Sequence, residues 1–312
     1  MTRAEMLDTT EDILNRAGFL VSQRCVTRSS CFDFAARREE LLTLVKVLVD
    51  IGNTSTKETM ELRRISRFLS ATPILIADKT RGRHLDDDTL YMRYGVGAVT
   101  PKTFGNMVFL KMYPLVEAGP GGYYVNLDGN VIRERRQELE LSVGKLAELM
   151  AVSRRTIYGY EKEISKASVS AAYKLGWILG IPVARPTNPF QACPLGRGFL
   201  AAAKRAIRNR LLNTVLRKLS HLDFRVTHTK RAPFDFIAQN PEEGLSIIGG
   251  VPGRREQNLD RRTEEIMSVG RVTNARMVFV TDGRHVPNNA IPLIHREEWE
   301  RIKSPEDLMA RL

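Results

Sequence analysis

A Phe-Asp-Phe triplet occurs twice in the chain, at Phe32–Phe34 and again 202 residues on at Phe234–Phe236, and its surroundings repeat with it. Each triplet follows an amphipathic helical pattern (ILNRAGFL; VLRKLSHL). After each come an acidic turn (Glu39-Glu40; Glu242-Glu243) and an apolar run of the kind that forms a buried strand. A charged helical stretch follows (ETMELRRISRFL; RRTEEIMSVGRV), then a second apolar strand ending at Asp78 in one case and Asp282 in the other. This order of elements predicts two copies of one α/β domain, one near each end of the chain.

Between the copies lie two stretches that read as linkers, the Gly-rich 117–130 and the Pro-rich 182–198. They divide the 312 residues into pieces at 1–116, 131–181 and 199–312, each of ordinary domain size or smaller. Hydrophobic residues make up 43%, enough for real cores. No apolar run reaches the roughly 20 residues that cross a bilayer, and the polar, acidic start MTRAEMLDTTEDIL is not a secretion signal. The expectation is a cytoplasmic chain with no membrane partner. Cys25, Cys31 and Cys193 are scattered without zinc-ligand spacing and are read as reduced thiols. A net charge of +12 favours a polyanionic partner, provided the cations share a face.

The central piece, VIRERRQELELSVGKLAELMAVSRRTIYGYEKEISKASVSAAYKLGWILGI, reads as four helices joined by short turns. The first runs over Val131–Leu139. Ser142 is placed to cap a helix over Val143–Met150, whose Leu146, Ala147 and Met150 form a narrow apolar stripe. The small Ala147 lets the next helix cross closely. Ser153 caps a third helix from Arg154 to about Lys162, with Ile157 and Tyr160 pointing inward. The fourth spans about Ser168–Leu179 and stops at Gly180 and Pro182.

These residues resemble the Cro/C1-type helix-turn-helix. The matching features are Leu141-Ser142, Leu146-Ala147, Val152-Ser153, Thr156-Ile157, Tyr160-Glu161 and Leu179-Gly180-Ile181. The arrangement also resembles an archaeal family of HTH-type transcriptional regulatory proteins. Two positions depart from the pattern. Ala151 stands where the turn usually has Gly, and Val143 stands where a phosphate-touching Gln is common. The resemblance implies that the third helix enters a major groove of double-stranded DNA. Arg154 and Arg155 would then meet base edges, where guanidinium suits guanine O6 and N7. It places Val143, Lys145, Ser153, Thr156, Tyr158, Gly159 and Lys162 in or beside the contact surface, with Lys166 a further phosphate candidate. An Arg-Arg pair at a helix start opposes the helix dipole, which a duplex would compensate. Pairing of two chains as a homodimer is the expected assembly.

The outer copies resemble restriction-endonuclease-like folds of the PD-(D/E)xK type, in a degenerate form. Asp33 and Lys46 fit the first copy, but Leu44 occupies the acidic position. In the second copy Asp235 is present, with Ile247 and Gly249 at the acid and lysine positions. One carboxylate holds Mg²⁺ poorly, so neither copy is expected to catalyse and no cofactor or metal is expected. Asp33 and Asp235 read better as acceptors of backbone N–H bonds, and Asp86-Asp87-Asp88 as a solvated acidic loop. The basic run Lys204, Arg205, Arg208, Arg210, Arg217 and Lys218 is a candidate for phosphate contact. The fold class expected is α/β plus all-α: a central helix-turn-helix bundle flanked by two degenerate nuclease-like domains. The function expected is a non-enzymatic, sequence-specific transcriptional regulator. The competing readings are a Mg²⁺-dependent nuclease resting on Asp33 and Lys46, and an architectural DNA-binding protein.

Overall fold

The computed structural model describes residues 1–191, 209–240, 244–252, 258–283 and 291–312. The chain opens with α1 (Arg3–Arg16), β1 (Leu20–Val21), β2 (Phe34–Arg38), β3 (Leu41–Asp50), α2 (Thr56–Phe68) and β4 (Thr72–Thr80). Next come β5 (Arg83–His84), β6 (Thr89–Arg93), β7 (Val96–Val99), α3 (Pro101–Leu110), β8 (Val116–Gly119) and β9 (Gly122–Val125). The helical segment follows: α4 (Gly129–Glu138), α5 (Val143–Met150), α6 (Arg154–Glu161), β10 (Ala167–Ser168) and α7 (Val169–Leu179). The remainder is α8 (Arg210–His221), β11 (Arg225–His228), β12 (Phe236–Asn240), β13 (Leu245–Gly250), α9 (Leu259–Thr273), β14 (Arg276–Thr281), β15 (Leu293–His295), α10 (Arg296–Arg301) and α11 (Pro305–Met309).

These elements sort into two compact units. One contains Arg3–Val47, Thr54–Ile74 and Phe190–Leu312, so the two outer stretches of the sequence fold together. It has two lobes with the same element order: helix, three strands, helix, strand. In the first lobe β1, β2 and β3 pair antiparallel, with Leu20 opposite Arg37 and Phe34 opposite Val45. In the second lobe the order is β11-β12-β13-β14-β15, antiparallel up to β13 and parallel beyond it. Apolar residues of α8 at helical spacing (Leu212, Val215, Leu216, Leu219) close that lobe's core over Phe236, Ile247 and Val280.

The lobes contact each other reciprocally. Helix α9 packs on β2, and α2 packs on β12. Glu265 of α9 accepts the backbone N–H groups of Val26 and Thr27 at 2.9 and 3.0 Å. Glu61 of α2 accepts those of Lys230 and Arg231 at 2.6 and 3.0 Å. Phe32 and Phe234, the first residues of the two triplets, meet with ring centroids 6.4 Å apart. Each glutamate satisfies loop donors that would otherwise lack a partner within their own lobe.

The register corrects one assignment. Asp33 donates its N–H to Val45 O and Asp235 donates to Gly249 O, so the counterpart of Lys46 is Gly250 rather than Gly249. The counterpart of Leu44 is then Ile248 rather than Ile247. Glu242-Glu243, Cys193, Lys204, Arg205, Arg208 and residues 192–198 of the Pro-rich linker lie outside the described residues. Of the basic run, Arg217 is exposed on α8, and Lys218 donates to Glu300 O at 3.1 Å.

The other unit contains Met1–Thr2, Leu48–Asn53 and Leu75–Pro189, so residues 75–116 share a unit with the helical segment. Its strands run β4-β7-β6-β8-β9-β10, with β5 paired to β4. The stretch 117–130, read above as a linker, is mainly a β-hairpin: Glu117 lies opposite Tyr124, and Gly119 opposite Gly122. Its glycines serve a tight turn, and its tyrosines and valine have strand propensity that the glycine count obscured. No helix among the described residues is long and apolar enough to cross a membrane.

Candidate nucleic-acid interface

Four helices build the site, and serines and an aspartate start them. Asp128 accepts the Val131 N–H, which begins α4 two residues earlier than the apolar pattern indicated. Ser142 accepts from Lys145 N, Ser153 from Thr156 N and Ser168 from Ala171 N, fixing the starts of α5, α6 and α7. Ile132, Leu146, Ala147, Met150, Ile157, Tyr160, Ala172, Leu175 and Leu179 converge in one core, joined by Val125 of β9 and by Leu127 just beyond it. Hairpin and bundle are joined directly, since β10 pairs with β9, placing Ala167 opposite Val125.

The turn between α5 and α6 places Ala151 in the left-handed region at φ 57°. An L-residue with a Cβ is strained there. Ala151→Gly is therefore expected to raise stability by about 1 kcal/mol. Urea denaturation checks this, and a loss of stability would show that the methyl group does more in packing than it costs in strain.

Helix α6 shows two faces. Ile157 and Tyr160 are buried, while Arg154, Arg155, Tyr158 and Lys162 are exposed, Tyr158 by 54%. Ser153 and Thr156 share a hydroxyl contact of 2.9 Å at the helix start. Arg154 and Arg155 thus stand in the first turn of an exposed helix, beside the N-terminus of α5. The Arg154 guanidinium lies against Gly144, its Nε and Nη2 3.1 and 3.2 Å from where a Gly144 Cβ would stand. Lys145 is on the same helix and pairs with Glu148 at 3.1 Å.

Two expected contact residues point elsewhere. Gly159 is buried, and a Cβ there would meet Ser165 Oγ at 2.6 Å. Its carbonyl accepts from Ile164 N at 2.9 Å. The glycine lets the chain fold back under α6, so it is removed from the contact set. Val143 is half-buried and packs on the bundle core, which leaves it unfit to replace the Gln of the related pattern.

An anchor absent from the sequence reading holds α6. Arg136 of α4 forms a two-pronged bond to Glu161, Nε to Oε1 at 2.6 Å and Nη2 to Oε2 at 3.2 Å. Both side chains are buried, at 11% and 7% exposure. Arg136 Nη1 also donates to Leu141 O at 2.8 Å. A glutamate in the last turn of a helix opposes the dipole, and that placement was the one available signal that Glu161 has a cationic partner.

In the two lobes both triplet aspartates are held by cations and a backbone donor. Asp33 accepts from Arg3 at 2.6 Å, Lys46 at 3.3 Å and Val47 N at 2.7 Å. Asp235 accepts from Arg28 at 2.5 Å, Arg262 at 2.6 Å and Val251 N at 2.7 Å. Burial pushes the Asp235 carboxyl up, but Arg262, Arg28 and the Val251 N–H outweigh it and hold the group below the usual range. In the acidic loop, Asp87 accepts from Thr100 and Lys102, Asp86 from Tyr91 and Tyr123, and Asp88 from Asn106.

Two family models match the chain, and the first spans residues of both compact units. A "PD-(D/E)XK superfamily domain" model matches residues 3–114, and a "Helix-turn-helix" model matches residues 132–184. The protein of Halobacterium salinarum is 35% identical and that of Methanocella arvoryzae 34%, each alignment covering 99% of this chain and 95–96% of the relative. A Pyrococcus furiosus relative is 28% identical over 99% of this chain and 97% of its own. All three bear the name "Putative HTH-type transcriptional regulatory protein". No solved structure matches. The chain belongs to this archaeal family of HTH-type transcriptional regulatory proteins, combining a PD-(D/E)XK superfamily domain with a helix-turn-helix.

Proposed function

We propose that the protein regulates transcription by binding double-stranded DNA and reading one major groove with α6. The observation that carries the reading is an exposed, serine-capped helix whose first two residues are arginines and whose opposite face is locked into the bundle. Arg155 is assigned to a base edge. Arg154, lying over the N-terminal turn of α5, is assigned to a phosphate held jointly with that helix end. Ser153, Thr156, Tyr158, Lys145 and Lys162 complete the surface.

Arg155→Ala is expected to relax discrimination at one base pair by about 1–3 kcal/mol. Arg154→Ala is expected to weaken all sequences alike. The double variant keeps its fold and loses site-specific binding. Selection of bound sequences from a random duplex library, followed by titration of the variants, tests this. Wild-type affinity for the selected site in the double variant would end the reading.

The two lobes are inferred to be copies of one nuclease-like domain that act as scaffold rather than enzyme. The repeated element order and the reciprocal Glu61 and Glu265 contacts support the duplication. The cations around Asp33 and Asp235, and an apolar residue at each position where a second carboxylate would stand, support the non-catalytic role. Cleavage of DNA with Mg²⁺ that disappears in Asp33→Ala would reverse it.

A homodimer on DNA is supported by α7, whose outward Val169, Tyr173 and Trp177 form an uncharged stripe, the last two 74% and 78% exposed. Two chains per selected site in the same titrations are the expected stoichiometry. A cytoplasmic location follows from DNA as the partner.

A further inference from the structure

Next to the helix-turn-helix, and within the same compact unit, lies an open groove of about 1290 Å³. One wall is the β8–β9 hairpin, carrying Gly119-Pro120, Gly122, Tyr123 and Tyr124. The other is the β4–β5 hairpin, carrying Arg81 and Arg83, with Tyr91 and Arg93 of β6 on the floor and Lys166 at the end. Four cations line it against a single carboxylate, Glu117, and that carboxylate is taken up by Lys166, Thr187 and Asn126. Arg93 is committed, donating to Gly52 O at 3.0 Å and stacking on Tyr94 at 4.3 Å. Arg81 and Arg83 are exposed, and among the described residues neither side chain has a hydrogen-bond or ion-pair partner. The hydroxyls of Tyr91 and Tyr123 both donate to Asp86, at 3.0 and 2.7 Å, which fixes their rings.

We infer that this groove binds the sugar–phosphate backbone of the same duplex that α6 reads, one or two phosphates beyond the major-groove contact. The groove is larger and more open than a small-ligand pocket, typically about 300–1,000 Å³ and enclosing. Two free guanidinium groups on a hairpin suit successive phosphates, and a Gly-Pro-Gly-Gly turn opposite lets a backbone approach closely. Position supports it as well. Strand β9, one wall of the groove, is hydrogen-bonded to β10, and β10 joins α6 to α7. Helix α6 has eight residues, about 12 Å of length at the usual rise. Lys166 follows its end by five residues, which span at most about 18 Å of extended chain, so the Lys166 end of the groove lies within about one turn of a duplex of the reading helix.

The inference rests on DNA as the partner but not on sequence reading by α6, and the test separates the two. The full chain is titrated with a duplex lacking any selected site over a range of salt concentrations. Arg81→Ala with Arg83→Ala is expected to lower the slope of log K against log salt by about 2, each lost phosphate contact contributing about 0.9. At 0.1 M salt this is a loss on the order of tenfold per arginine. The Arg81→Lys, Arg83→Lys pair keeps the slope. With a selected site, lengthening the duplex by one helical turn strengthens binding of the wild type and not of the alanine pair. An unchanged slope in the alanine pair overturns the inference. So does a lysine pair that behaves like the alanine pair, since a charge contact would survive that change. Loss of specificity in the Arg154 and Arg155 variants is a separate result, read on the selected site alone.

Discussion

Glu161→Ala is expected to destabilise the helix-turn-helix by about 3–5 kcal/mol, the cost of leaving a buried charge without its partner. Arg136 has little access to solvent, and its Nε and Nη2 have no other acceptor of comparable geometry. Arg136→Ala is expected to cost a similar amount, by stranding the carboxylate at the C-terminal end of α6, where the dipole adds to the penalty. Arg136→Met with Glu161→Leu should be less harmful than either single change, because a matched apolar pair carries no desolvation penalty. Thermal unfolding of wild type, the two alanine variants and their double alanine variant gives the coupling energy, and the Met–Leu pair is compared beside them. A single-variant loss under about 1 kcal/mol, the range of exposed pairs, would contradict the buried-pair account. The functional consequence is specific: the pair joins α4 to the end of α6, so its loss should loosen the helix that carries Arg154 and Arg155.

Arg262→Met is expected to have an effect of the same size in the second lobe. The Arg262 side chain is 1% exposed, donates to Pro233 O at 2.5 Å and to Asp235 at 2.6 Å, and lies 5.9 Å from the Phe279 ring. Methionine fills similar volume but leaves Asp235 dependent on Arg28 and Val251 N, and the expected loss is about 3–5 kcal/mol. The pH dependence identifies the cause. Asp235 is held below its ordinary pKa, so the stabilisation it provides is complete above the unfolded value of about 4 and fades as pH falls through the lower folded value. Wild type and Arg262→Met should therefore differ fully at neutral pH and converge in acid. A constant difference across that range would assign the loss to packing instead.

Local chemistry made the helix-turn-helix legible. Serine caps at Ser142 and Ser153, the inward Ile157 and Tyr160, and the unusual Ala151 could each be read from neighbours within a turn or two. The failures share a cause. Gly159 serves Ser165, six residues on, through a close approach that spacing does not reveal. Val143 was judged by what a related motif places there, whereas its own apolar side chain turned it toward the core. The Gly-rich 117–130 looked like a linker because a two-residue hairpin turn and a flexible tether draw on the same residues. Arg136 with Glu161, and Glu61 and Glu265 with their distant loop donors, depend on tertiary approach, which one sequence does not contain. The shared order of elements in the two lobes was legible, but a one-residue slip in aligning the second with the first misplaced the lysine counterpart by one position, because register is set by strand pairing.

The glutamate contacts between the lobes also bear on how the chain is made. The backbone amides of Val26 and Thr27 wait for a carboxylate 239 and 238 residues downstream. At about 5–20 residues per second, ribosomes deliver that group some tens of seconds after the loop has emerged. The N-terminal lobe therefore spends most of its synthesis with β2 uncovered and those amides unfilled, and it becomes complete only when the last third of the polypeptide arrives to close it.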